Sequence, residues 1–182
     1  MAKFEHHIHE DKTDEWATPN SFVRPLSDAV GGFDLDPASG AEPEPHADTT
    51  YTKEDDGLEQ EWFGNVFLNP PFSNKERWLE KTLQETNSGN ADLVVTVLPV
   101  DTSTRWFHNY VTDAICHSFI GPGRQDFDRR GKATGSGNPS FAVMVVVFGD
   151  RVPKELLGCL NRKGVVFYNR SLYKESHQAR FG

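Results

Sequence analysis

Asn69, Pro70, Pro71 and Phe72 follow directly on the apolar run Val66-Phe67-Leu68, and their types and order suit one kind of chemistry. A proline donates no ladder hydrogen bond and fixes its own φ. Pro70 and Pro71 therefore end the strand that the apolar run forms and freeze the turn beyond it. The Asn69 carboxamide oxygen and the Pro70 carbonyl become two acceptors in fixed places, matched to an exocyclic amino group with two hydrogens to give. A ring at Phe72, one step past Pro71, can stack on a planar heterocycle. Held in this way, an amino nitrogen has its lone pair localised and aimed at an electrophile.

A turn of that kind needs elements to carry it. Thr18 to Gly32 predicts a helix, with Thr18 as cap, Pro19 at the first helical position and Gly31-Gly32 as the stop. Phe22, Leu26 and Val30 share one face, and Pro25 predicts an irregular first turn or two. Phe33 to Pro37 (FDLDP) predicts a short strand ending at Asp36 and Pro37, followed by loop from Ala38 to Tyr51. After the strand that leads into Asn69, Lys75 to Glu85 predicts a helix with Trp78, Leu79 and Leu83 on one face. Ala91 to Val100 is almost wholly apolar and β-branched, as a strand covered on both faces would be. Thr102 to Val111 predicts a helix after an Asp101 cap. Then come a strand at AICHSFIG, a glycine-rich basic loop from Gly121 to Ser140, and a strongly apolar strand from Phe141 to Gly149. A helix within VPKELLGCLNRKG and a last strand or extended tail at VVFYN close the chain.

Strands alternating with helices predict an α/β fold, a compact, mostly parallel sheet with helices on both faces. AICHSFI and FAVMVVVF, with no helix between them, are expected to pair as an antiparallel hairpin at one edge. In open α/β sheets, ligands bind beyond the carboxyl ends of the strands. FDLDP and FLNPPF both place a polar group beside proline at such an end.

A chain of 182 residues is expected to form one domain spanning residues 14–182, after a mobile tail at residues 1–13. His6, His7 and His9 in that tail have no matching carboxylate or cysteine framework and are read as a solvated terminus, with no metal site expected. Cys116 and Cys159 lack metal-type spacing and read as reduced core residues of a cytoplasmic protein. No apolar run approaches the roughly 20 residues of a membrane span. A net charge of −8 argues against a non-specific nucleic-acid coat but leaves room for a local basic face.

The segments DEWATP (Asp14–Pro19), FDLDPAS (Phe33–Ser39), DGLEQEW (Asp56–Trp62), NPPFSNKERWLEK (Asn69–Lys81), LPVDTSTRWF (Leu98–Phe107), GRQDF (Gly123–Phe127) and NPSF (Asn138–Phe141) occur in this order. The ordered set resembles the phage-type Dam-like DNA N6-adenine methyltransferase family over roughly residues 14–150. NPPF by itself matches the wider [NDS]PP[YFW] signature of amino-group methyltransferases. The resemblance implies a Rossmann-like S-adenosylmethionine-dependent methyltransferase fold without a separate target-recognition domain. It also implies double-stranded DNA as partner, with direct methyl transfer to N6 of a flipped-out adenine in the host cytoplasm if the chain is phage-encoded.

Roles follow position by position. Asn69, Pro70, Pro71 and Phe72 are the expected catalytic set, with Asn69 also near the cofactor. The resemblance places Trp16, Thr18, Pro19, Asp36, Pro37, Ala38 and Asp56 around the cofactor. Asp36 would receive the methionine ammonium and the Thr18-Pro19 helix start the carboxylate. Asp56 would read the adenine amino group, with Asp55 as its rival for that place. Trp16 either packs on the cofactor or fills the core. Lys75, Arg124, Arg129, Arg130, Lys132, Asn138 and Ser140 are expected at the nucleic acid. A solvated helix face is the alternative for Lys75 and Arg77, and pairing with Asp126 or Asp128 is the alternative for Arg124.

The chain departs from many methyltransferases in DPASGAEPEP, which lacks a G-x-G and contains disruptive prolines. The stretch from Pro37 to Asn65 is also too short for two strand–helix units, so a sheet strand is expected to be short or missing. Asp48 and Glu44 are the weak candidates for a carboxylate on the cofactor ribose. Methylation of cytosine N4, an RNA base or a glutamine stays open, as does a catalytically idle regulator that binds cofactor or DNA.

Overall fold

The computed structural model describes residues 16–40, 45–122, 128–129 and 142–169, with residues 16, 128 and 129 described by their backbone. In chain order the strands are β1 (Trp16–Ala17), β2 (Leu35–Asp36), β3 (Thr49–Thr50), β4 (Gly64–Leu68), β5 (Ala91–Pro99), β6 (Cys116–Ile120), β7 (Asp128–Arg129), β8 (Val143–Gly149) and β9 (Gly164–Tyr168). The helices are α1 (Asn20–Val30), α2 (Lys75–Ser88), α3 (Arg105–Tyr110) and α4 (Lys154–Lys163). The fold is mixed α/β, built on a seven-stranded sheet of order β3-β2-β4-β5-β8-β6-β9.

Three pairings in that sheet are parallel, β3 with β2, β2 with β4 and β4 with β5. Three are antiparallel, β5 with β8, β8 with β6 and β6 with β9. β6 thus runs in the direction of β5, five of the seven strands point one way, and what is corrected is the expectation of a hairpin at the edge. β6 and β8 do pair, but β8 also runs against β5 from Leu93↔Gly149 to Pro99↔Val143 and so lies inside the sheet. The reason is its side chains. Val143 to Phe148 are all buried, a burden that only a strand flanked and covered on both sides can satisfy. The VVFYN segment is a true strand, β9, and forms the edge instead.

The helices lie on both faces, and β5 shows how. Leu93, Val95 and Val97 pack with Phe22, Val23 and Leu26 of α1 and Leu156, Cys159 and Leu160 of α4. Val94 and Leu98 pack with Trp78 and Leu79 of α2 and Trp106 and Phe107 of α3. The period-two alternation of a strand thus separates two cores across one sheet. Helix α1 runs without a break through Pro25, although Pro25 can donate nothing to the Ser21 carbonyl. Pro19 in place of Thr18 occupies its cap position, so the helix begins one residue later than expected, and the Gly31 N–H closes its end on the Ser27 carbonyl.

Helix α2 runs three residues beyond its expected end, because Gly89 supplies the left-handed stop. Its buried face is Trp78, Leu79, Thr82 and Glu85, with Leu83 only partly covered. Burial alone would push the Glu85 carboxyl up. Hydrogen bonds from Lys81, Asn90 and the Trp62 N–H, together with the Lys81 charge, outweigh it and hold the group below the ordinary glutamate value. Helix α3 begins three residues late, since Asp101 accepts from the Ser103 N–H and hydroxyl in a local turn instead of capping.

The loop expected from Ala38 to Tyr51 contains β3, two residues parallel to β2 and the short outer strand of the parallel side. β1 and β7 form a separate antiparallel ribbon, Trp16↔Arg129 and Ala17↔Asp128, which ties the segment before α1 to the loop between β6 and β8. Among the described residues no helix is long and apolar enough to cross a membrane.

Candidate active site

β2, β4 and β5 run parallel and end at the same edge of the sheet, in Asp36-Pro37, Leu68-Asn69 and Pro99-Val100. Leu35 lies level with Val66. Asn69 therefore stands two residues beyond the level of Asp36 on the adjacent strand, an offset on the order of 8 Å from ordinary strand spacings. That offset is the length of a small ligand group.

Asp36 is 4 % exposed, an unusual placement for a carboxylate. Its Oδ1 accepts the Ala38 N–H at 3.1 Å, forming a local turn through the buried Pro37. Its own carbonyl accepts the Tyr51 N–H at 2.9 Å, so the end of β3 holds the same turn. The start of α1, two residues after Thr18, is the other element expected at the ligand. The Thr18 hydroxyl is buried and finds no hydrogen-bond partner among the described residues. A buried hydroxyl left unsatisfied costs roughly 1–3 kcal/mol, and here it stands just before α1, whose amino end favours negative charge. That combination suits an anionic ligand group.

The turn from Thr52 to Gly57 distinguishes the two neighbouring aspartates. Asp55 Oδ2 accepts the Thr52 N–H and the Thr52 hydroxyl, each at 2.8 Å, and the backbone bond first, then the hydroxyl, holds its carboxyl below the ordinary value. Asp55 is thereby committed to the turn. Asp56 has a left-handed φ of 52°, and among the described residues its carboxylate makes only a long 3.4 Å contact with the Leu58 N–H. The left-handed backbone turns Asp56 at the tip of a D-G pair. Gly57 is needed for contact, because a Cβ there would run into the Pro37 carbonyl. Below it, Trp62 Nε1 donates to the Gly57 carbonyl at 2.8 Å, and the Trp62 ring stacks on Trp78 of α2. The Asp36 turn, the Asp56 turn and the helix after Phe72 are fastened together through these groups.

β4 delivers Asn69 and the buried Pro70, and Pro71 holds an extended φ, ψ of −55° and 121°. Phe72 then opens a 3-10 turn to Asn74, closed by the Asn74 N–H on the Pro71 carbonyl at 3.1 Å. Phe72 is half-buried. Lys75, expected at the nucleic acid or on a solvated face, is half-buried. Its Nζ donates to the Phe72 carbonyl at 2.8 Å and lies 5.1 Å from the centre of the Trp106 ring.

The other expected residues fall into three groups. Trp16 and Arg129 face each other in the β1–β7 ribbon by their backbones. Arg124, Arg130, Lys132, Asn138 and Ser140 lie outside the described residues, as do Glu44 and His6, His7 and His9. Asp48 precedes β3 on its amino side, away from the edge that carries Asp36 and Asn69. Sequence reasoning missed Gly57, Trp62 and Trp106. The D-G pair was the available signal for the first, and nothing local marks the other two, whose partners are set by packing. Cys116 and Cys159 are buried and free, and burial pushes the Cys116 thiol up to about 12, so it stays protonated and inert at neutral pH.

A family model of DNA N-6-adenine-methyltransferases (Dam) matches residues 5–168, beginning inside the segment expected as a tail. A DNA N-6-adenine-methyltransferase of Escherichia phage T1 is 32 % identical over 96 residues, which are 52 % of this chain and 39 % of that protein. The match thus spans about two-fifths of the relative's length.

Proposed function

Since the chain belongs to the DNA N-6-adenine-methyltransferase (Dam) family, we propose that it methylates the exocyclic N6 of adenine in double-stranded DNA. The observation that carries this is the Asn69-Pro70 turn at the carboxyl end of β4, next to a buried Asp36 at the end of β2. The order of the parallel strands and the buried β8 support the finer assignment of the fold as Rossmann-like.

The residues fit S-adenosylmethionine as the methyl donor. Asp36 is placed for an ammonium, the Thr18 hydroxyl and the Pro19 start of α1 for a carboxylate, and Asp56 for an adenine amino group. Pro37 and Ala38 form the turn that follows Asp36, and Trp16 is assigned to the same ligand. When bound, that cofactor supplies a methyl group on a sulfonium, an electrophile strong enough for a weak nucleophile. The chain's own residues prepare the nucleophile. Asn69 and Pro70 accept the two amino hydrogens and draw the nitrogen lone pair out of conjugation with the ring. Pro71 keeps the turn rigid, and Phe72 stacks on the extruded base, partly offsetting an unstacking cost of a few kcal/mol. Both cysteines are buried, so neither is assigned as a nucleophile. Target contacts are assigned to the 121–140 loop, with Arg124, Arg129, Arg130, Lys132, Asn138 and Ser140, within a single domain. This implies a short or relaxed recognition site.

The test uses purified protein, tritiated S-adenosylmethionine and unmethylated genomic DNA, with Asn69→Ala as control and nucleosides identified by mass spectrometry. N6-methyladenine from the wild type alone is the expected result. Label in cytosine, RNA or protein would overturn the substrate, and absence of cofactor binding would overturn the methyltransferase assignment.

A further inference from the structure

A lysine at the first residue of α2 is electrostatically misplaced, because the start of a helix favours negative charge. The inward turn of Lys75 resolves the mismatch. Its ammonium sits between the Phe72 carbonyl, 2.8 Å away, and the face of Trp106, 5.1 Å from the ring centre. A carbonyl and an indole face both attract a cation, so the group is held from two sides. Trp106 is 5 % exposed and belongs to the core between the sheet, α2 and α3. Close-packed interiors do not yield easily, which makes this ring a fixed platform. At the other end of the same short turn, the Asn74 N–H holds the Pro71 carbonyl. The two consecutive carbonyls flanking the Phe72 side chain are thereby each tied down.

We infer that Lys75 is a positioning residue. Through the Phe72 carbonyl it sets the direction of the Phe72 ring, and Trp106 of α3 holds its ammonium in place. This inference rests on the assignment of Phe72 as the ring that stacks on the target base. It also links two motifs of the sequence, NPPFSNKERW and STRWF, through one cation. Arginine is a poor substitute, since a planar fork on a longer stem cannot place a point charge at both partners.

Two roles for Lys75 make opposite demands. As a phosphate contact it would contribute about one unit to the slope of log affinity against log salt. As a positioning residue it would leave that slope alone and act on the transfer step. The experiment compares the full chain with Lys75→Met, Lys75→Arg, Trp106→Leu and the Lys75→Met/Trp106→Leu double variant. Three quantities are read: amide hydrogen exchange at residues 72–75 without substrate, DNA affinity across a salt series, and single-turnover methyl transfer at saturating DNA and cofactor. If Trp106→Leu does not fold, Trp106→Phe, which keeps an aromatic face, replaces it.

Lys75→Met is expected to speed exchange at residues 72–75 several-fold, to leave the salt slope of DNA affinity unchanged, and to slow transfer about 10- to 100-fold. Lys75→Arg should recover only part of that loss, and the double variant should be no slower than Lys75→Met, as two residues acting through one contact require. A reduced salt slope with an unchanged transfer rate would make Lys75 a phosphate contact and overturn the inference. Unchanged exchange at residues 72–75 would overturn it equally. If the wild type transfers no methyl group to DNA, the proposed function fails, and the exchange comparison still decides whether Lys75 fixes the turn.

Discussion

The two halves of the sheet are built from similar residues and put to different use. β2, β4 and β5 on the parallel side end together in polar, proline-bounded turns, where Asp36 and Asn69 stand. β8, β6 and β9 on the antiparallel side alternate in direction, so their ends are split between both edges. Apolar strands alone therefore do not make a site. Parallel direction gathers several strand ends at one edge, and rigid turns then fix what stands there. The antiparallel half supplies mass to the core, with six consecutive buried residues in β8, each worth roughly 1.5–3 kcal/mol relative to exposure.

Substitutions at the edge should therefore remove chemistry and spare stability, and substitutions in β8 should do the reverse. The largest expected effect is Asn69→Ala, a drop of about 10²–10³-fold in single-turnover methyl transfer with an unchanged melting temperature. A melting temperature that falls along with activity would blur the division. Next is Met144→Ala, fully buried in β8. It should cost about 3 kcal/mol in denaturant unfolding, while the folded fraction keeps its transfer rate. Gly57→Ala sharpens the boundary from the other side, since the added methyl forces the Asp56 turn off Pro37. Calorimetry should show cofactor affinity reduced about 10-fold, roughly 1.4 kcal/mol, with DNA affinity unchanged.

The smallest effect is electrostatic. Glu85 has a folded pKa below its ordinary 4.5, so its contribution is fully present above that value and disappears as pH falls through the lower folded one. Stability curves of wild type and Glu85→Gln should therefore converge on acidification below pH 4.5. Curves that stay parallel would remove the carboxylate from the account.

Much of this arrangement was legible in the residues. Prolines mark the ends of β2 and β4 so clearly that Asp36 and Asn69 could be placed at strand ends, and continuous apolar runs marked β5 and β8. β1, β3 and β7 were not legible, because two residues carry no periodicity and owe their strand geometry to distant partners. The place of β8 was missed because neighbours in sequence suggest a hairpin, whereas its burial on both faces demands β5 as well. The contacts of Lys75 were not legible for a related reason. Charge type predicts what a side chain can bind, but its direction is set by Trp106, thirty-one positions away.

The insertion of β8 between β5 and β6 also constrains how the molecule comes into being. β5 has no partner on one side until residues 143–149 exist, and β6 and β9 reach the sheet only through them. A growing chain that has emerged as far as β6 thus carries a long, apolar strand with an open edge, a template for pairing with other chains. Completion of the sheet is one late, non-local event, and a chain cut after Pro122 is expected to pellet on expression where the full chain stays in solution.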